Sequence, residues 1–523
     1  MRVKRYNKFP LLILVFIIVV AGVFCGVKFF LETRSVSRDY GVSYDIDLSE
    51  QERQTVESLV DAETKYALPI KIAIKNTAKR EDFTIGEMVP VTNWYYFEES
   101  ITTEEALALA NTKKCNQTYC EAILDTTMRL VPVDELNGTE RLVAIDDNYY
   151  LDNPEKGAIY RVLEFSLDES GVEKVDDKRR AAAELDLAEF KNQLKEKLPA
   201  LGNKKENILT FAQTGVTALS RAMVSHLNGA AGGNGAYFAE NIKDFLSSKD
   251  LTHISNEVSF ADSCQGGTNT VVLCSDWRML ETIKAIGTDI IELTGNHNND
   301  YSAQANTNTI AKYEELGFKT FGGGKNEESA RTPLELNEKN TKITLLGYNQ
   351  STTSKQYGGA NGSTPGANIY DEAIAKQQIT EAKARGDYVI VDIQYYECYS
   401  YPDGYTEMPA CDYLIANQKA FFRHLVDLGA DMVVGTQAHQ PQTFELYDGK
   451  PIYYGLGNLF FDQTYWPGTT RGYILTHYFL SGKYAQTRIS PTVYGATYQT
   501  RLMDADSAQA FLSRLIEASP HGE

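Results

Sequence analysis

A chain of 523 residues has room for two or three domains, and a hydrophobic fraction of 43% can supply real cores. The net charge of −19 at pH 7 argues against nucleic acid as a partner, and it means that an anionic ligand needs a local positive site or a cation. The 32 tyrosines suit a β-rich, extracytoplasmic surface without proving one.

At the amino terminus Arg2, Lys4, Arg5 and Lys8 precede the run Leu11 to Phe30, which is apolar apart from Lys28 and two glycines. About 20 residues in a helix span a bilayer core. The positive leading side sets the amino terminus in the cytoplasm, and Lys28 can snorkel at the far end. Residues 1–31 therefore read as a cytoplasmic stub and single-pass anchor in the cell membrane, with the bulk of the chain extracytoplasmic. A cleaved signal peptide is the rival, but no small-x-small site follows the run. Residues 32–66 are polar and acidic with weak helical character (Leu48, Val56, Leu59, Val60), as in a stalk or a packing helix.

Residues 67–172 read as a small α+β domain of unknown role. Lys71 to Ile74, Gly86 to Tyr96, Leu130 to Pro132, Leu142 to Ile145 and Ala158 to Phe165 have strand character, and Glu104 to Thr112 reads as a helix. The domain has no histidine and no glycine-rich phosphate loop. Residues 173–206, highly charged, read as a solvated helical linker. From 207 to 497 the rhythm becomes strand, loop, helix. Strands are expected at Ile208–Gly215, His253–Phe260, Asp289–Thr294, Ile343–Tyr348, Tyr388–Tyr395, Asp431–Gly435, Ile452–Gly455 and Tyr473–Leu480. Helices are expected at Trp277–Ile286, Ala303–Leu316, Asp371–Arg385 and Cys411–Leu428. Such alternation predicts an α/β layered domain with a largely parallel centre. Residues 498–523 form a helical tail.

Apart from Cys25, the cysteines fall in three close pairs: Cys115 with Cys120, Cys264 with Cys274, and Cys398 with Cys411. Close pairing predicts disulfides and an oxidising compartment; a zinc site is the rival, but no C-x-x-C spacing occurs.

Four expected strands of the large domain end in polar residues. Ser255, Asn256 and Glu257 follow the first, and Asn296, His297 and Asp300 the second. Gln394 to Glu397 follow the third, and Gln437 and His439 the fourth. If these ends share one side of a sheet, they converge on one rim. Imidazole and carboxylate suit divalent-ion ligation, and a positioned histidine suits proton transfer. The bland reading is a set of polar loops. His226, His253, His424 and His477 lack such a setting and read as structural or surface residues.

The chain from about Ile208 to Gln463 resembles the poly-γ-glutamate capsule biosynthesis (CapA) family. The match rests on G-T-Q-A-H-Q-P-Q at Gly435–Gln442, Y-Y-G-L-G-N-L-F-F-D-Q at Tyr453–Gln463, and G-N-H-N-N-D at Gly295–Asp300. It also rests on Asn256-Glu257 and on T-G-V-T-A-L-S-R at Thr214–Arg221. The resemblance implies a layered β-sandwich with flanking helices, similar to calcineurin-like metallophosphoesterases. The departures are Val216 in place of the usual Asp, Gln394 in place of a histidine, and Gln437 in place of the first histidine of a G-H-x-H motif.

The candidate metal ligands carried over are Glu257, Gln394, Glu397, Gln437 and His439, with Asn296 as a further donor. Because amide oxygens bind cations weakly, this set suits one divalent ion of unspecified identity, or none, better than a two-metal centre. His297 is expected to move a proton, with Asn296 and Asp300 orienting it. His439 and Glu257 would hold a cation or substrate, and Asn256 and Asn458 would bind. The resemblance implies synthesis, export or attachment of an anionic polymer such as poly-γ-glutamate, alongside other capsule-synthesis subunits. Two alternatives stay open: a non-catalytic scaffold with a degraded phosphoesterase pocket, and a metal-dependent phosphoesterase. Whether the chain is an enzyme, a hydrolase or transferase with an incomplete ligand set, is also open.

Overall fold

The computed structural model describes residues 36–45, 48, 50–95, 100–111, 120–121, 128–198, 204–266, 272–350, 358–395, 412–465 and 467–520. The expected anchor at Leu11–Phe30 lies outside these residues, as do Cys115, Glu397, Cys398, Cys411 and the side chain of Cys120. Among the described residues no helix is long and apolar enough to cross a membrane. The described chain divides into two compact units. The first draws on residues before 202; the second holds 203 onward, together with 92–99 and 136–142.

The first unit is built on a mixed sheet whose path runs Val42–Tyr44, Ile70–Thr77, Ile159–Leu167, Thr84–Asn93, Arg129–Pro132 and Cys120–Glu121. It reaches further along the chain than residues 67–172. Val42–Tyr44, from the expected stalk, pairs in parallel with Ile70–Ile72. The expected linker also belongs to this unit. Helix Asp177–Lys197 buries Ala182, Ala183, Phe190 and Leu194, and the last two join Val56, Ile70, Ile72 and Leu163 in one cluster. Its apolar stripe is one residue wide at most turns, so the surrounding charges hide it. Asp186 looks solvated in the sequence, yet it is buried and accepts from Arg38 Nε at 2.9 Å and from the Ala67 amide at 2.8 Å.

The second unit contains two large sheets and a two-stranded one of Gly323–Gly324 with Gly366–Ala367. Its principal strands, in chain order, are β1 (Ile208–Gln213), β2 (Val216–Thr217), β3 (Leu251–Asn256), β4 (Ile290–Glu292), β5 (Lys319–Phe321), β6 (Leu334–Glu338), β7 (Thr341–Asn349) and β8 (Tyr388–Gln394). They continue with β9 (Met432–Thr436), β10 (Phe444–Tyr447), β11 (Lys450–Tyr453), β12 (Asn458–Phe460), β13 (Arg471–Leu480), β14 (Lys483–Val493) and β15 (Arg501–Leu502). The nine-stranded sheet runs β5-β4-β3-β1-β13-β14-β15, with β2 joining β3 to β12. The six-stranded sheet runs β6-β7-β8-β9-β11-β10. Each sheet has a parallel centre, β1-β3-β4-β5 in one and β7-β8-β9-β11 in the other. Antiparallel strands close both edges of the smaller sheet and the β13-β14-β15 side of the larger one.

Alternation along each strand sorts the side chains into layers. Leu209, Phe211, Leu251 and Ile290 of the larger sheet meet Ile343, Leu345, Ile390 and Met432 of the smaller one in a shared core. The opposite face of the larger sheet (Ile254, Ile291) packs on Met223, Ile283, Ile310 and Tyr313 from helices. The opposite face of the smaller sheet (Val389, Val391, Val433) packs on Ile379, Phe422 and Leu425. The result is helix, sheet, sheet, helix, the layered β-sandwich with flanking helices that the sequence implies. Helix Ala505–Glu517, read as a tail, contributes Phe511, Leu512 and Leu515 to the shared core.

Candidate functional site

The rim forms where parallel strands of both sheets end. In β8, Y-V-I-V-D-I-Q, the residues Ile390, Asp392 and Gln394 point into the sandwich while Val389, Val391 and Ile393 face the helices. Gln394 is the last of the inward set. Its amide Nε2 donates to Glu257 Oε2 at 3.0 Å, to Asn296 Oδ1 at 3.2 Å, and to Gln437 Oε1. Asn349, which ends β7, donates to Gln394 Oε1 and to the Thr294 carbonyl at 2.7 Å, so the Gln394 amide is fixed nitrogen-end outward. The ends of β3, β4, β8 and β9 therefore converge through one glutamine, as the polar strand ends predict. Asn349 was missed because its strand end carries no charged or ring nitrogen group to draw notice.

Two backbone features aim these groups. Gly295 lets the chain turn over the end of β3, since a Cβ there would sit 2.5 Å from the Asn256 carbonyl. After β9 the chain takes left-handed backbone at Gln437 (φ 83°) and at His439 (φ 55°). Side-chain-bearing residues hold such angles at a cost of order 1–3 kcal/mol, which is found most often at functional sites.

The remaining predicted residues take distinct places. His297 Nδ1–H donates to Asp300 Oδ2 at 2.5 Å, and the same oxygen accepts from the Leu273 amide at 2.9 Å. His297 is about one quarter exposed, so this dyad is reachable from solvent. Leu273 adjoins Cys274, which forms a disulfide with Cys264 as predicted; the other two pairs lie outside the described residues. His439 is buried and its Nδ1–H donates to Asn458 Oδ1 at 2.9 Å. Asn458 in turn donates to the Thr469 carbonyl at 3.0 Å. Asn256 faces away from Gln394. Its amide donates to Val258 O and to Asn298 Oδ1, and its oxygen accepts from Tyr313 OH, so it holds the turn. Val216 forms part of the short β2 ladder, its side chain in a small apolar cluster with Val258 and Phe461.

The rim as described is poor in the donors that a tight metal centre needs, and Glu397, one of the ligands carried over, lies outside the described residues. The Gln394 amide takes up one oxygen each of Glu257, Asn296 and Gln437. Three of the four groups are themselves neutral amides, which hold divalent ions weakly beside carboxylate and imidazole.

Beneath the rim lies a second polar group that the sequence reading placed among the structural residues. His253 of β3, Glu292 of β4 and Asp392 of β8 are fully buried between the sheets. They are the only His/Cys/Asp/Glu set with converging ligand atoms among the described residues. Burial, then the neighbouring Asp392 charge, pushes the Glu292 carboxyl up to about 8. Gln213 Nε2 donates to Asp392 Oδ1 at 2.6 Å and accepts at Oε1 from His477 Nε2–H at 3.0 Å. Burial holds His477 neutral and lowers its pKa to about 3. In the sequence Glu292 and Asp392 each interrupt an apolar run, while His253 stands in a mixed strand beside Thr252 and Ser255, so nothing there sets the three on facing sheets.

Residues 210–463 match the family described as bacterial capsule synthesis protein PGA_cap. The chain is 28% identical over 190 residues to a capsule biosynthesis protein CapA of Bacillus anthracis, covering 35% of this chain and 43% of that one. It is 25% identical over 212 residues to a PGA biosynthesis protein CapA of Bacillus subtilis, covering 40% and 52%. The matches thus span about half the length of these curated relatives. A calcineurin-like phosphoesterase YfkN from Bacillus subtilis overlaps 59% of this chain and 98% of its own at 13% identity and a TM-score of 0.31, too slight a likeness to argue from. The rim strands and their polar ends all fall inside residues 210–463, the segment that matches the bacterial capsule synthesis protein family.

Proposed function

We propose that the chain takes part in making, exporting or attaching an anionic capsule polymer of the poly-γ-glutamate kind, and that the rim around Gln394 is where it handles the polymer. The observation that carries this reading is the coincidence of the family match at 210–463 with the strand ends that meet at Gln394. The chemistry supports it. A polyamide offers alternating N–H donors and C=O acceptors, and the amides of Asn296, Gln394 and Gln437 present both kinds. The His297–Asp300 dyad beside them supplies a proton or, when protonated, a local positive charge in a chain of net charge −19. No step at the rim needs a cation. In this reading His297 serves as proton donor or acceptor, Asp300 holds its tautomer, and Asn296 and Gln394 position the chain of the polymer.

The neutral, self-satisfied amides favour a second reading, a binding scaffold without turnover. In either reading the apolar run near the amino terminus would tether the protein to the cell membrane facing outward, where other capsule-synthesis subunits would be its partners.

Complementation tests the proposal. A strain lacking its own CapA-type protein should regain cell-bound polymer with the wild-type chain and not with His297→Ala at equal protein level. Failure of the wild-type chain to restore any polymer would sink the proposal. Turnover of a γ-glutamyl oligomer by the purified wild type, absent in His297→Ala, would select catalysis over scaffolding.

A further inference from the structure

The buried group under the rim has the features of a ligand set. Each carboxylate has one oxygen committed and one not. Asp392 Oδ1 accepts from Gln213, and Glu292 Oε1 accepts from the Thr294 hydroxyl. The other two oxygens, Asp392 Oδ2 and Glu292 Oε2, have no hydrogen-bond partner, and neither has His253 Nε2, although all three are sealed from solvent. These three atoms face one another. His253 Nε2 lies 3.3 Å from Asp392 Oδ2 and 3.8 Å from Glu292 Oε2, in ion-pair range but without hydrogen-bond alignment. Bonds of about 2.0–2.2 Å at tetrahedral to trigonal angles place donor atoms about 3.3–3.7 Å apart, which is close to this spacing. The imidazole is held in place by packing, with Phe211 and Phe321 rings at 6.3 and 5.8 Å.

We propose that His253 Nε2, Glu292 Oε2 and Asp392 Oδ2 bind one divalent cation of the zinc class inside the sandwich. Nitrogen with carboxylate oxygen is a donor set that suits such an ion, and two carboxylates neutralise its charge. Gln213 and Thr294 act as the outer hydrogen bonds that orient the carboxylates. The ion ties β3 and β4 of the larger sheet to β8 of the smaller one. No substrate reaches it, so its role is structural, and it enters as the chain folds. The site shares no residue with the rim and does not depend on the capsule reading.

The test is metal content of the full chain purified in detergent, by elemental mass spectrometry after dialysis. The variants are Glu292→Gln with Asp392→Asn, and separately His439→Ala. The paired amide variant replaces both buried carboxyls at constant shape, which protects the fold; circular dichroism checks it. The expected result is about one zinc-class ion per chain in the wild type and in His439→Ala, and at least about tenfold less in the folded paired variant. Refolding the wild type with Co²⁺ should also give visible absorption from the bound ion, absent in the paired variant. Metal-free wild type after refolding in Zn²⁺ would overturn the proposal. So would metal retained by the folded paired variant, or lost from His439→Ala.

Discussion

At the carboxyl ends of β3, β4, β8 and β9 the polar groups include three neutral amides that bond one another. Two residues back along β8, on the same inward face and about 7 Å deeper, Asp392 meets His253 and Glu292, and there the charged groups do not satisfy one another. Water reaches the His297–Asp300 end of the rim, while the lower layer is sealed. The difference teaches that one strand can serve two purposes. Under the two proposals above its tip, Gln394, belongs to the rim that handles the polymer, and its interior residue, Asp392, belongs to the cation site.

The largest effect should come from breaking the lower layer one group at a time. Asp392→Ala leaves His253 and Glu292 without their counterpart, and unfolding in urea should show a loss of about 3–5 kcal/mol. The paired Glu292→Gln, Asp392→Asn variant should lose distinctly less, because no lone buried charge remains. Equal losses in the two would mean that charge is not what matters there.

Next is the edge of the rim. The disulfide Cys264–Cys274 closes a short loop whose Leu273 amide holds Asp300. Reduction should cost about 2–3 kcal/mol of stability, seen as a lower melting temperature in reductant. Identical melting of oxidised and reduced protein would break the link between loop and dyad.

The pH dependence of His477 sharpens the contrast from the acid side. Its folded pKa is about 3 against an ordinary 6.5. Between those values the unfolded chain binds the proton and the folded one does not. Its contribution is therefore complete above pH 6.5 and is lost as pH falls toward 3. The wild type should lose up to about 2 kcal/mol more than His477→Gln between pH 6.5 and 5. Parallel stability curves for the two proteins would contradict this. Smallest in stability is His297→Ala, a partly exposed position, expected to change unfolding by no more than about 0.5 kcal/mol while removing the capsule phenotype. A large loss of stability would make His297 a structural residue.

Much of this arrangement can be read in the chain. Gln394, Asn296, Glu257 and Gln437 stand out because each follows an apolar run, and strand ends of a parallel sheet share one side. The disulfide at Cys264 is legible from spacing alone. The lower layer is not, because E in I-I-E-L and D in V-I-V-D-I-Q declare their face only once the two sheets are set against each other. Helix Asp177–Lys197 is legible as a helix, but its packing is not, by a similar limit: its buried stripe contains Asp186, whose partners Arg38 and the Ala67 amide are far away in sequence.

The most direct measurement is binding of purified poly-γ-glutamate to the full chain by isothermal titration, comparing wild type with Gln394→Ala. Gln394 alone joins three strand ends, so its loss should weaken binding about tenfold or more while the protein stays folded, a difference of about 1.4 kcal/mol. Equal affinity in the two proteins would contradict the account and move the polymer site away from the rim.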